Sequence, residues 1–175
     1  MAEQSCCLAS LIARRRFITL MSASGGAMLL GFAPRIAAAA GNVDSLLLSC
    51  IDYRLTDKVG AYMDGRGLKE NYDQVILAGA SLGAVTSKYP DWGKTFREHL
   101  DIAIQLHGIQ RVIALDHRDC AAYRVFLGKD LTGDAEKALH ATELHRLARQ
   151  IHATHPKLKV ETLLMSLDGS VETVA

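Results

Sequence analysis

The sequence predicts an α/β domain built on a central, mostly parallel sheet of four to five strands, in the order 2-1-3-4, flanked by helices. Short apolar runs alternate with stretches of helical periodicity, which is the pattern of parallel strands joined by crossover helices. Two of those runs are followed at once by side chains suited to hold a metal: Cys50 after the first, His117 and Cys120 after the third. In an open parallel sheet, ligands collect beyond the carboxyl ends of the strands, where neighbouring connections leave for opposite faces. If strands one and three are neighbours, these three residues converge at such a point, so spacing and topology support one another.

Strand one is expected at residues 45–49, where Leu46, Leu47 and Leu48 are consecutive and therefore buried on both faces; it ends at Cys50. A helix follows over 56–63 and closes at Asp64-Gly65-Arg66-Gly67, whose glycines supply a left-handed cap. Strand two is placed at 74–78. After it, Gly79-Ala80-Ser81-Leu82-Gly83 forms a turn that reverses the chain or lets backbone approach a ligand closely. Asp91 reads as the N-cap of a helix through Trp92, Phe96, Leu100, Ile104 and His107, spaced by fours and threes on one face and ended by Gly108. Strand three spans 111–115, a short helix starts near Asp119 or Cys120, and a long helix runs over 134–154 on a stripe of Leu139, Leu144, Leu147 and Ile151. Strand four is 160–164, and the Asp168-Gly169 turn leads into a last short strand or extended arm.

Residues 1–40 read as a cleaved export signal, leaving 41–175 as a single zinc-binding α/β domain. Arg14, Arg15 and Arg16 precede Phe17 in an Arg-Arg-x-Phe order of twin-arginine type, an apolar stretch follows over 20–32, and Ala37 to Ala40 offer a cleavage site. Ser22, Ser24, Gly25 and Gly26 dilute an apolar run already too short to cross roughly 30 Å of hydrocarbon, which argues against a membrane anchor. The expected destination is the periplasm or another exported compartment. Removing the segment lowers Lys plus Arg from 20 to 16 and Asp plus Glu from 19 to 18, a net charge of −2. So weak and mixed a charge gives no reason to expect a nucleic-acid or anionic-membrane partner. The remaining length suits one domain with one core.

Cys6 and Cys7 fall in the expected signal, so Cys50 and Cys120 are the thiols of the domain. Two thiolates and one neutral imidazole, His117, make three ligands of a tetrahedral zinc site, and three protein ligands with a fourth position open is the catalytic arrangement. A Cys50–Cys120 disulfide is the competing reading for an exported protein. A twin-arginine route opposes it, because the chain would fold in a reducing cytosol where thiolates meet zinc before an oxidant. Asp52 and Arg54 stand beside Cys50, a carboxylate and a guanidinium able to act on whatever fills the fourth position.

Cys50-x-Asp52-x-Arg54 followed by His117-x-x-Cys120 resembles the zinc signature of β-class carbonic anhydrases, and the Leu167-Asp168-Gly169 tail is similar to a segment that ends that fold. The chain departs from that pattern at Ile76-Leu77-Ala78-Gly79-Ala80, where the family carries Arg-Asn-Ala-Gly-Asn, and at Ala121 and Ala122, where it carries glycine. It therefore looks like a compact, divergent branch. The resemblance implies one Zn²⁺ per chain on Cys50, His117 and Cys120, reversible hydration of CO₂ to bicarbonate by zinc-bound hydroxide, and a homodimer or larger oligomer. It implies that Asp52 accepts a hydrogen bond from that hydroxide while Arg54 holds Asp52, or that Asp52 closes the site as a fourth ligand. Two thiolates cancel the charge of Zn²⁺, so the rate is expected to rise towards alkaline pH. A CS₂ or COS hydrolase on the same site and a non-catalytic zinc or redox module are the alternatives.

The remaining histidines invite a plain reading. His140, His145, His152 and His155 show no i, i+4 pair and read as solvated surface groups, and His99 and His107 flank the preceding helix without a ligand partner. Asp116 and Asp119 are candidates to orient His117, since a ligating imidazole usually donates its other N–H to an oxygen; Asp119 is also a candidate helix cap.

Overall fold

The computed structural model describes residues 41–128, 130 and 132–174, and the expected signal at 1–40 lies outside them. Five strands, β1 (Ser45–Cys50), β2 (Tyr72–Leu77), β3 (Arg111–His117), β4 (Lys159–Met165) and β5 (Val171–Thr173), form one sheet in the order β2-β1-β3-β4-β5. The first four pair in parallel and β5 returns antiparallel to β4. The expected α/β class and the 2-1-3-4 order are both present. A 3₁₀ turn (Tyr53–Leu55) leads into helix α1 (Thr56–Gly65), and α2 (Ser81–Val85), α3 (Pro90–His107), α4 (Ala121–Leu127) and α5 (Gly133–Thr154) complete the described helices.

The three consecutive leucines of β1 divide between two cores, as the period of two in a strand requires. Leu46 and Leu48 pack with Val112, Ala114 and Leu164 under Phe96 and Leu100 of α3 and Leu144, Leu147 and Ile151 of α5. Leu47 joins Ile113, Leu115, Leu163 and Met165 on the opposite face, beneath Leu55, Val59 and Met63. Helices thus cover both faces of the sheet, which is why its central strands read as unbroken apolar runs.

Strand β1 stays paired with β2 as far as Cys50 and Leu77, and β3 stays paired with β4 as far as His117 and Met165. Between β1 and β3 the pairing runs only from Ser45 and Arg111 to Leu48 and Ala114. The two central strands therefore part at their carboxyl ends, and that opening holds Cys50 and His117.

Two local expectations change and a third holds. Strand two begins two residues earlier and, as an edge strand, leaves Ile76 half exposed. Helix α3 starts at Pro90, whose fixed φ and missing N–H suit a first helical position; Asp91 lies within the first turn, and no side chain caps that end. Gly108 does end α3, in the left-handed conformation, with its N–H donated to the Ile104 carbonyl.

Candidate metal centre

Cys50 ends β1, His117 ends β3 and Cys120 is the extended residue at the N-terminus of α4. Their ligand atoms all lie within 4.8 Å of one another. The Cys50 and Cys120 sulfurs are 3.8 Å apart. Two sulfurs bound at about 2.3 Å to one tetrahedral zinc stand about 3.8 Å from each other, so the thiols are already at metal-binding separation. Both are free, and the distance is far longer than an S–S bond of about 2.0 Å.

His117 supplies the third donor in a form that asks for a metal. Its Nδ1 lies 2.9 Å from the Arg118 carbonyl oxygen, which makes Nδ1–H the donor and leaves Nε2 as the free lone pair. That Nε2 is buried and has no hydrogen-bond partner. A buried nitrogen left unpaired costs about 1–3 kcal/mol unless something occupies it, and two sulfurs beside it define what fits. The donor set therefore suits zinc.

The thiols divide one proton between them. Cys50 falls from 9.0 to about 4, chiefly through the hydrogen bond from Cys120, opposed by burial and helped by His117 and the Gly79 N–H. Cys120 is pushed up by the Cys50 thiolate and by burial. Burial opposes a charged His117, yet the Cys50 thiolate close by raises it overall. A thiolate, a poised second thiol and an imidazole are ready to exchange protons for a cation.

The glycine-bearing turn after β2 approaches the site, as its composition allowed. The Gly79 N–H donates to the Cys50 sulfur at 3.3 Å. Gly79 has φ of 78°, and Ala80 and Asp119 are two of the three non-glycine residues with positive φ among those described. Local backbone strain thus clusters around the ligands.

Asp52 and Arg54 form the expected pair. The Arg54 Nε donates to Asp52 Oδ1 at 2.9 Å and Nη2 to Oδ2 at 2.7 Å, while the Arg54 backbone N–H adds a third bond at 3.0 Å. These side-chain hydrogen bonds hold the Asp52 carboxyl at about 2, below its usual 3.8. Asp52 Oδ2 lies 3.8 Å from His117 Nε2, beside the metal position but outside the mutually close donor set.

The carboxylates after β3 do other work than expected. Asp119 neither orients His117 nor caps α4; its Oδ2 accepts from Arg54 Nη1 at 2.8 Å and its Oδ1 from Arg124 at 2.7 Å. Asp116 also leaves His117 alone and accepts from Ser81, Tyr123 and His140. His140 is therefore buried, not solvated. His107 and His155 pair with Asp73 and Asp101.

A cleft of about 600 Å³ opens over Cys50, Cys120, Asp52 and Arg54. Ile51, Ala78, Ala121, Ala122, Val125 and Phe126 give it an apolar wall beside the Asp52–Arg54 ion pair, a lining that suits a small ligand.

Comparisons with known proteins agree with this geometry. A family model described as "Putative carbonic anhydrase" matches residues 41–175. The protein RC0076 of Rickettsia conorii, described as uncharacterized, is 42% identical over 132 residues, covering 74% of this chain and 71% of its own length. The β-carbonic anhydrase isoform I of Trichomonas vaginalis shares the fold with a TM-score of 0.50 at 16% identity, covering 99% of this chain and 98% of that one. A C39A mutant of the β-carbonic anhydrase CafD of Aspergillus fumigatus gives a TM-score of 0.50 at 12% identity, over 74% of this chain and 87% of that one. With the sheet, the Cys-His-Cys donor set and a family match across the whole described domain, the chain belongs to the putative carbonic anhydrase family.

Proposed function

We propose that the protein is a zinc-dependent carbonic anhydrase that interconverts CO₂ and bicarbonate, with one zinc per chain held by Cys50, His117 and Cys120. The observation that carries this reading is the buried, unpartnered His117 Nε2 facing two thiols 3.8 Å apart at the floor of an apolar cleft. Bound zinc supplies Lewis acidity, lowering the pKa of coordinated water towards neutrality.

The residues of the chain do the remaining work. Asp52, ionised across the working pH range and 3.8 Å from the metal-binding nitrogen, is placed to accept a hydrogen bond from the nucleophile and aim its lone pair. Arg54 fixes Asp52 by a two-pronged contact, and Asp119 holds Arg54 from the other side. The apolar wall receives CO₂, which has no net dipole and needs none of the polar partners a larger oxygenated substrate would demand. Rotation of Asp52 away from Arg54 would instead make it a fourth ligand and close the site.

Ile51, Tyr53 and Val125 stand 63%, 85% and 65% exposed at the rim of the cleft, a cost in water that burial against a second copy removes. The functional unit in this reading is a homodimer or larger oligomer. The Arg14-Arg15 pair directs export to the periplasm, and replacing both with lysine should retain the protein in the cytoplasm on fractionation.

Stopped-flow CO₂ hydration by zinc-verified protein tests the activity. The expected result is rapid turnover that increases from pH 7 to about 9. A fully metallated protein that leaves CO₂ untouched but releases sulfide from COS or CS₂ would reassign the substrate, and one inert to all three would be a non-catalytic zinc module.

A further inference from the structure

Next to the donor set, and outside the lining of the cleft, lies a second cluster of polar side chains that the proposed reaction does not use. Asp116 is 1% exposed, and its carboxylate accepts from four donors. Oδ1 takes the Ser81 backbone N–H at 2.9 Å, and Oδ2 takes the Ser81 hydroxyl at 2.7 Å, His140 Nδ1 at 2.9 Å and the Tyr123 hydroxyl. Ser81 and His140 are equally enclosed, at 0% and 1%, and the Tyr123 and His140 rings lie 3.9 Å apart between centroids. A carboxylate buried this deeply is costly unless its lone pairs are filled, and here they are.

Asp116 and two of its partners, Ser81 and Tyr123, lie on three different segments, and each of those segments leads to one metal ligand. Asp116 itself precedes His117 on β3. Tyr123 lies one turn after Cys120, and its N–H bonds to the Cys120 carbonyl at 3.1 Å. Ser81 stands two residues beyond Gly79, whose N–H reaches the Cys50 sulfur. His140, from the middle of α5, packs against the cluster from behind and donates the bond that ties this helix to the others.

We infer that Asp116, with Ser81, Tyr123 and His140, is the common anchor that sets the relative positions of the three metal ligands, so that these four are positioning residues for metal binding. The inference rests on the zinc reading. Without the anchor, β3, the turn before α2 and the start of α4 lose their shared reference point, and the sulfurs and the imidazole are no longer held at one spacing. Partners behind a ligand typically alter metal affinity by about 10- to 100-fold.

The experiment compares wild type with Tyr123→Phe, His140→Leu and His140→Asn in the full chain. Zinc affinity is read by competition with a chromophoric chelator, the ligand field by the absorption of the cobalt-substituted protein, and folding by thermal unfolding of the metal-free form. Tyr123→Phe and His140→Leu are expected to weaken zinc binding tenfold or more and to shift the cobalt bands. His140→Asn, which keeps a donor near the Nδ1 position, should recover affinity to within about threefold of wild type. Tyr123→Phe removes a single oxygen and carries the test if His140→Leu does not fold. Variants that melt lower yet bind zinc with wild-type affinity and unchanged cobalt bands would show a merely structural cluster and overturn the inference. A wild-type chain that binds no zinc would refute the metal reading itself, and this inference with it.

Discussion

Replacing Gly79 with alanine should damage the fold and the metal site together, and the structure allows the cost to be worked out. At φ of 78° an alanine enters the left-handed region, which costs about 1–2 kcal/mol for an L-residue. Its Cβ would also meet the Ala122 Cβ at 3.2 Å and the Leu82 Cβ at 3.5 Å, crowding worth up to about 1 kcal/mol in a packed site. The less flexible unfolded chain returns about 0.4–1 kcal/mol. A net loss of about 1–2 kcal/mol remains, which for a domain of this size lowers Tm by roughly 4–8 °C. Relief of the crowding displaces the turn whose N–H reaches the Cys50 sulfur, so zinc affinity should fall as well. The assay is thermal unfolding and chelator competition on Gly79→Ala, Ala122→Gly and the double variant. The double variant should regain the crowding part relative to Ala122→Gly and keep the backbone part. A Gly79→Ala protein that melts and binds zinc as wild type does would refute the argument from conformation and close approach.

Asp52→Asn and Arg54→Ala should each retain close to full zinc by metal analysis while CO₂ hydration falls about 100-fold or more; unchanged turnover would remove the pair from the mechanism. Acid should reveal the same pair in stability. Asp52 titrates at about 2 in the folded chain against 3.8 free, so its contribution is fully present above pH 4 or so and is lost as pH falls through about 2. The urea stability difference between metal-free wild type and Asp52→Asn should accordingly shrink from pH 5 to pH 2, and a constant difference would contradict the ion pair. Phe96→Ala, at a side chain 1% exposed beneath α3, should cost about 3–5 kcal/mol in chemical denaturation, and a loss under 1 kcal/mol would mean that this core is poorly packed.

The strand order and donor set were legible because both rest on short-range signals. Leu46 to Leu48 and the run before Asp116 can be little other than buried strands, and Cys50, His117 and Cys120 are chemically conspicuous immediately beyond them. The contact between Asp52 and Arg54 is a local one, two residues apart and beside Cys50, and so it too is legible. The Asp116 cluster carries a fainter signal. The absence of an i, i+4 histidine pair bears on metal ligation only, whereas His140, Leu144, Leu147 and Ile151 follow one another at spacings of four, three and four and share the buried face of α5. That pattern marks His140 as a core residue, and a core imidazole implies a partner such as Asp116, the one acid in the apolar run of β3. The role of Asp119 had no comparable signal, since its contact with Arg54 joins residues 65 positions apart across an opening that only the folded sheet creates. Asp91 has the chemistry of a helix cap, but Pro90, whose ring fits the first helical position, starts the helix before it.

The parting of β1 from β3 beyond Leu48 and Ala114 gives the sheet a seam. On one side, β1 remains zipped to β2; on the other, β3 remains zipped to β4. Cys50 belongs to the first half, His117 and Cys120 to the second, so an ion bound by all three is a staple across the seam, closing a loop of some seventy residues. Because the ion leaves when the chain unfolds, it stabilises the fold by its binding free energy, about 4 kcal/mol at a thousandfold excess over Kd. Metal loading and resistance to unfolding are then one property, and a chain stripped of its ion should fray first between its two central strands, with the amide protons of β1 and β3 nearest the cleft exchanging before those that face β2 and β4.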